Sequence, residues 1–227
     1  MAKKNQVKKT ETHPFRIRDC TLVAIATGFK AQNLREFREG LLKVPASSIY
    51  NHFWGHFLQP YFVEPEYNND FAAWAYHSLH EKKMAEKLAI IDPISFEDLE
   101  SLREEVVEVV EERLDESEFV PWARPDQRFH FTRSQIVVFD TGKSLNKPPE
   151  LLYATREMSQ GSIFYHFIDA RRRTDDKTDD FCAWLEGWKD KYKDLREKIM
   201  SIDPYFSSLE DQRTRLVQIL IDYFKKA

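Results

Sequence analysis

Residues Phe15 to Phe53 lie over Phe129 to Phe167 at a constant offset of 114 residues, without a gap. Nine of those 39 positions are identical: Phe15, Val23, Thr27, Gly28, Glu36, Ser48, Ile49, His52 and Phe53. After a four-residue deletion the match resumes, and Asp70-Phe71-Ala72-Ala73-Trp74 meets Asp180-Phe181-Cys182-Ala183-Trp184. Ile91-Asp92-Pro93 then meets Ile202-Asp203-Pro204, and Leu99-Glu100 with Arg103 meets Leu209-Glu210 with Arg213. Halves of roughly 100 residues are close to the common domain size and far longer than the roughly 20–50-residue period of a solenoid. The pattern predicts a basic tail over 1–13, a first repeat unit over 14–115, a linker over 116–127 and a second unit over 128–227. The two units are expected to be related by an approximate twofold axis. Positions held in both halves serve the shared fold, and positions that differ are available for function.

Hydrophobic residues make up 42% of the chain and aromatic residues 14%, enough to fill a core and to exclude a disordered chain. A formal net charge of −4 argues against general affinity for nucleic acid, which depends on clustered Lys and Arg. Lys3, Lys4, Lys8 and Lys9 read as a solvated tail rather than a binding arm. No apolar run approaches the ~18–20 residues of a membrane span, and the opening residues lack the apolar stretch of a secretory signal. Cytoplasmic residence is therefore expected. Cys20 faces Ser134 across the repeat and Cys182 faces Ala72, so no disulfide is common to the halves and two reduced thiols are expected. Neither belongs to a Cys-x-x-Cys pair. With only six glycines and no Gly-rich phosphate loop, no cofactor is implied.

Each half opens on an alternating segment, Phe15-Arg16-Ile17-Arg18 or Phe129-His130-Phe131-Thr132, which predicts a strand with one buried face. The opening segments are expected to pair with each other. A second strand, Leu22–Ile25 or Ile136–Phe139, is expected to end at Thr-Gly. Asn33 with Glu36 has the form of a capping box, and Pro148-Pro149 suit a first helical turn. The helix they start is expected to reach about Lys43 or Met158. Asp70 or Asp180 is expected to cap a longer helix reaching Ile90 or Met200, broken by Ile-Asp-Pro. A last helix carries Leu99, Leu102, Val106, Val109, Val110 and Leu114 as one stripe. Its outer Glu face (Glu104, Glu105, Glu108, Glu111, Glu112) reads as solvated. The fold class is helix-rich α+β, with an all-α arrangement as the alternative.

Ser48-Ile49-Tyr50-Asn51-His52-Phe53 and Ser162-Ile163-Phe164-Tyr165-His166-Phe167 form the best-preserved block. With the Thr-Gly, Asp-Phe-x-x-Trp and Ile-Asp-Pro runs, and with His166 to Arg171 reading His-Phe-x-Asp-Ala-Arg, the chain resembles a prokaryotic family described only as a domain of unknown function. The resemblance covers nearly the whole chain outside the tail. It implies a fold but brings no activity.

The halves differ after the shared histidine. Gly55, His56 and Phe57 stand where the second half has Asp169, Ala170 and Arg171, followed by Arg172 and Arg173. Arginine offers planar, bidentate donors suited to phosphate or carboxylate. The leading expectation is a non-catalytic binding or regulatory protein that recognises an anionic small molecule or acidic partner through His166, Asp169, Arg171 and Arg173. An enzyme acting on a phosphorylated or glycosyl substrate is the alternative, with His166 as acid/base and Asp169 orienting it. A third reading is a metal protein using His52, His56, His77 and His80, whose spacings put pairs of imidazoles on one helical face. The second half lacks three of those four, so the shared fold does not require a metal. No hydrolase nucleophile motif or His-Glu-x-x-His is present.

Overall fold

In the computed structural model, which describes residues 13–58, 66–116, 125–205 and 207–225, two long strands organise the chain. β1 (Phe15–Ala31) and β2 (Phe129–Leu145) pair antiparallel as a two-stranded sheet. The class is helix-rich α+β. Each strand was expected to be two short segments ending at Thr-Gly, yet each runs on as 17 residues. Gly28 and Gly142 sit inside the strands with φ of 85° and 72°, a backbone region open to glycine and the geometry of a bulge rather than a stop. Thr27 Oγ1 donates to Phe131 O at 2.6 Å, and Thr141 Oγ1 donates to Ile17 O at 2.6 Å. The opening of each strand therefore lies along the close of the other, and the openings do not pair with each other as expected.

Helices follow each strand. α1 (Leu34–Lys43) is capped by Asn33, whose side chain accepts from Glu36 N at 2.8 Å, while Glu36 reaches back to Gln32 N at 2.8 Å. α2 (Ala46–Trp54) passes into a 3-10 turn at Gly55–Leu58. The long helix expected from Asp70 to Ile90 is instead α3 (Asp70–His77) and α4 (Lys82–Ala89), divided where His80 takes a φ of 59°. α5 (Leu99–Asp115) buries Leu102, Val106 and Val110 against α1 and α2.

After β2 come α6 (Glu150–Glu157), α7 (Gln160–Ile163), a π-helical turn at Phe164–Asp169 and α8 (Ala170–Arg173). α9 (Asp180–Glu186) and α10 (Lys193–Met200) are divided at Lys189, φ 54°, where one helix was expected. α11 (Leu209–Phe224) packs on α6 and α10. The 1–12 part of the expected basic tail, and 117–124 of the expected linker with Pro121 and Trp122, lie outside the described residues.

The chain divides into a central unit, residues 21–137, and a terminal unit, residues 1–20 with 138–227. The cut crosses both strands, so the units do not follow the sequential boundaries read from the repeat. In the central unit the core is aromatic. Phe37 lies within 4.7–5.8 Å of Phe71, Trp74, Phe129 and Phe131, contacts worth about 0.5–1.5 kcal/mol each beyond the area they bury. Gly40 is forced by this packing, because a Cβ there would overlap the Phe131 ring. Buried Arg103 closes the end of α1 by donating to Leu41 O and Val44 O. In the terminal unit Arg213 does the same for α6, donating to Met158 O at 2.9 Å.

Candidate functional site

The preserved histidines sit in matching settings. In the terminal unit, Ser159 caps α7 and the π turn carries His166 against Phe15, ring centroids 4.8 Å apart, and Phe181, 5.9 Å. His166 is 3% exposed. Its Nε2 accepts from Arg18 N at 2.9 Å, so Nδ1 carries the proton and donates to Asp180 Oδ2 at 2.7 Å. In the central unit, His52 Nε2 accepts from Thr132 N at 3.2 Å and Nδ1 donates to Asp70 Oδ2 at 2.8 Å. Each ring thus fastens a strand opening to the first turn of a helix. Asp70 and Asp180 are not the caps they were expected to be. Asn69 and Asp179 cap α3 and α9 by accepting from Ala72 N and Cys182 N, which leaves the following carboxylate to meet the imidazole.

The Arg cluster is directed inward. Asp169, 1% exposed, accepts from Arg172 Nη2 at 3.2 Å and Arg173 Nε at 2.8 Å. Arg173 also donates to Tyr165 O at 2.9 Å and Asp180 Oδ2 at 3.1 Å, and lies over the Tyr165 ring at 4.1 Å. Of the predicted set, His166 and Arg173 therefore meet at Asp180, and Asp169 is joined to them through Arg173. Arg171 turns away from them: it is 7% exposed, covers the Phe167 ring at 4.7 Å and stands 3.9 Å from Asp179 Oδ2. Burial raises the Asp179 carboxyl above its ordinary range, against the pull of the Cys182 N–H and Arg171.

The first-half histidines are dispersed. His52 is the latch described above. His56 is buried, and desolvation lowers its imidazole to about 4. His77 and His80 are exposed and face Glu66 at 3.4 Å and Asp126 at 2.9 Å. Among the described residues no three His, Cys, Asp or Glu side chains gather as a metal site requires. Both cysteines are buried and unpaired with each other.

Beside His166 the terminal unit has an open cavity of about 250 Å³ with aromatic walls from Phe15, Tyr165 and Trp184. Arg16 and Arg18, on the exposed face of β1, also line it, together with His13 and Pro14. Among the described residues neither guanidinium has an ion pair or hydrogen bond. Asp180 is the carboxylate in the lining, and it is already engaged by His166 and Arg173. Sequence reasoning used Arg16 and Arg18 only as the polar beats of a strand. That alternation was the available signal for two cations projecting together. Asp180 was visible as a repeat marker and an expected helix cap, and Trp184 only as a repeat marker.

Among the described residues no helix is long and apolar enough to cross a membrane. Among solved structures the chain is similar to OrfY from Thermoproteus tenax, with a TM-score of 0.77 and 24% identity over 92% of this chain and 95% of that one. A likeness at that identity speaks for the fold alone. No curated protein matches the chain. A family model described as a family of unknown function, DUF5752, matches residues 12–221, and the chain belongs to that family.

Proposed function

We propose that this chain is a non-catalytic binding protein for a small anionic molecule, held at the cavity beside His166. One observation carries the reading: Arg16 and Arg18 line an aromatic-walled cavity, and neither has an acidic partner among the described residues. Bidentate donors beside low-dielectric walls favour phosphate or carboxylate over neutral solutes. The volume suits a phosphate, a short carboxylate or a small phosphate monoester. Arg173 and Asp169 serve this site from behind, by fixing Tyr165 and Asp180. The π turn adds weight, since such turns recur at functional sites, and the equivalent segment of the central unit is α-helix followed by a 3-10 turn. General acid–base chemistry at His166 would require Nε2 to leave the Arg18 amide, so the geometry favours binding over catalysis.

Calorimetry of the full chain against phosphate, sulfate, citrate and small phosphate monoesters tests this. At least one is expected to bind, and Arg16→Ala with Arg18→Ala is expected to weaken it tenfold or more without changing the thermal midpoint. Absence of binding across the panel, or unchanged affinity in the double variant, overturns the proposal.

We also infer that the two halves arose by duplication, supported by the nine identities and by the two matched histidine latches. Cytoplasmic residence is part of the same proposal, and two buried, unbridged thiols favour it.

A further inference from the structure

The terminal unit contains a second and larger cavity, about 640 Å³, between the strand ends and α6. Its size falls within the roughly 300–1,000 Å³ of small-molecule sites. Ile17, Leu145 and Met158, each at most 8% exposed, give it an apolar floor. Three carboxylates, Asp19, Glu150 and Glu157, line it with a single cationic side chain, Lys143.

Each carboxylate is held by one oxygen. Asp19 Oδ1 accepts from Cys20 N at 2.8 Å. Glu150 Oε2 accepts from Asn146 N at 2.8 Å and Lys147 N at 3.3 Å. Glu157 Oε2 meets Lys143 Nζ at 3.4 Å. Among the described residues the second oxygen of each has no partner. Lys143 is thereby assigned to Glu157, and among the described residues Asp19 and Glu150 have no cationic side chain paired with them beside the apolar floor.

We propose that this cavity binds an organic amine: an ammonium group received by the open oxygens of Asp19 and Glu150, with its hydrocarbon part on Ile17, Leu145 and Met158. An anion would meet excess negative charge. A neutral apolar molecule would strip water from carboxylates that it cannot satisfy. An ammonium satisfies those oxygens while its hydrocarbon covers the floor. The site is separate from the anion cavity, because residues alternate along β1: Arg16 and Arg18 line one cavity, and Ile17 and Asp19 the other.

The test is calorimetry of the full chain with 1,5-diaminopentane and benzylamine, beside 1-pentanol, benzyl alcohol and pentanoate. At least one amine is expected to bind at least tenfold more tightly than the alcohols, and pentanoate not at all. Asp19→Asn, which can keep the bond to Cys20 N, should weaken amine binding about tenfold. Ala154→Trp, which fills the cavity from the half-exposed face of α6, should abolish it and leave the response to phosphate as in the wild type. Circular dichroism confirms that both variants fold. Alcohols that bind as well as the amines, amines that do not bind, or amine affinity unchanged in Ala154→Trp would overturn the proposal.

Discussion

His166 donates through Nδ1 to Asp180 at 2.7 Å while its Nε2 receives the Arg18 amide, so one buried ring ties strand to helix. Replacing it by Phe retains most of the packing and removes both bonds. Orphaning a buried polar group costs about 1–3 kcal/mol, and a loss of that size is expected for His166→Phe in urea unfolding. His52→Phe, which orphans Thr132 N and Asp70, should cost a similar amount. A midpoint unchanged in both would show that the rings only fill space.

Gly40→Ala presents two opposed effects. The helix gains about 1 kcal/mol of propensity, but the added methyl overlaps buried Phe131, and overpacking costs about 1–3 kcal/mol. Because Phe131 is hemmed in by Phe37 and Phe129, net destabilisation of up to about 2 kcal/mol is expected. Phe131→Leu in the Gly40→Ala background should cost less than Phe131→Leu alone, as a double-mutant cycle would measure.

His56 makes stability depend on pH. Burial lowers its imidazole from 6.5 to about 4, so between those values the unfolded chain takes up a proton that the folded chain refuses. The contribution to stability is present above about pH 6.5 and is lost as pH falls toward 4. Its full size is up to about 3 kcal/mol. His56→Leu should flatten the fall in urea midpoint across that window. An identical slope in the variant would assign the pH dependence elsewhere.

Native thiols should be inert. Burial pushes Cys20 up to about 12, with Asp169 and Asp19 adding to the shift, and burial likewise raises Cys182. The thiolate is the reactive form. Reaction with a disulfide reagent at pH 8 should therefore follow unfolding, with two thiols appearing together in denaturant and almost none before it.

The helix starts and the strand character of the openings could be read from the chain, because caps and alternation are local signals. Asn33 with Glu36, and Phe15-Arg16-Ile17-Arg18, each declared themselves within four residues. The breaks at His80 and Lys189 could not be read, since neither position holds the Gly that usually takes a left-handed conformation. The directions of Arg171 and Arg173 were also hidden. A π turn just before them, at Phe164–Asp169, changes which side each residue faces, and no capping or alternation pattern in the sequence marks it. The candidate site was half legible. His166 stood out because both halves keep it, whereas Arg18 lies 148 residues away in sequence, and Arg16 lies beyond it on the same strand. Periodicity within one segment carries no information about such a meeting.

The division of each strand between the units bears on the order in which the protein can be made. The helices of the first half take Phe129 and Phe131 into their core, so a nascent chain that stops short of β2 has α1 to α3 but not the rings that fill the space between them. Arg18 and Cys20 are made well before the groups they bond in the terminal unit, His166 and Gly161, which follow more than 140 residues later. A fragment ending before residue 128 should consequently emerge with an exposed apolar groove, and adding the complementary fragment in trans should close it.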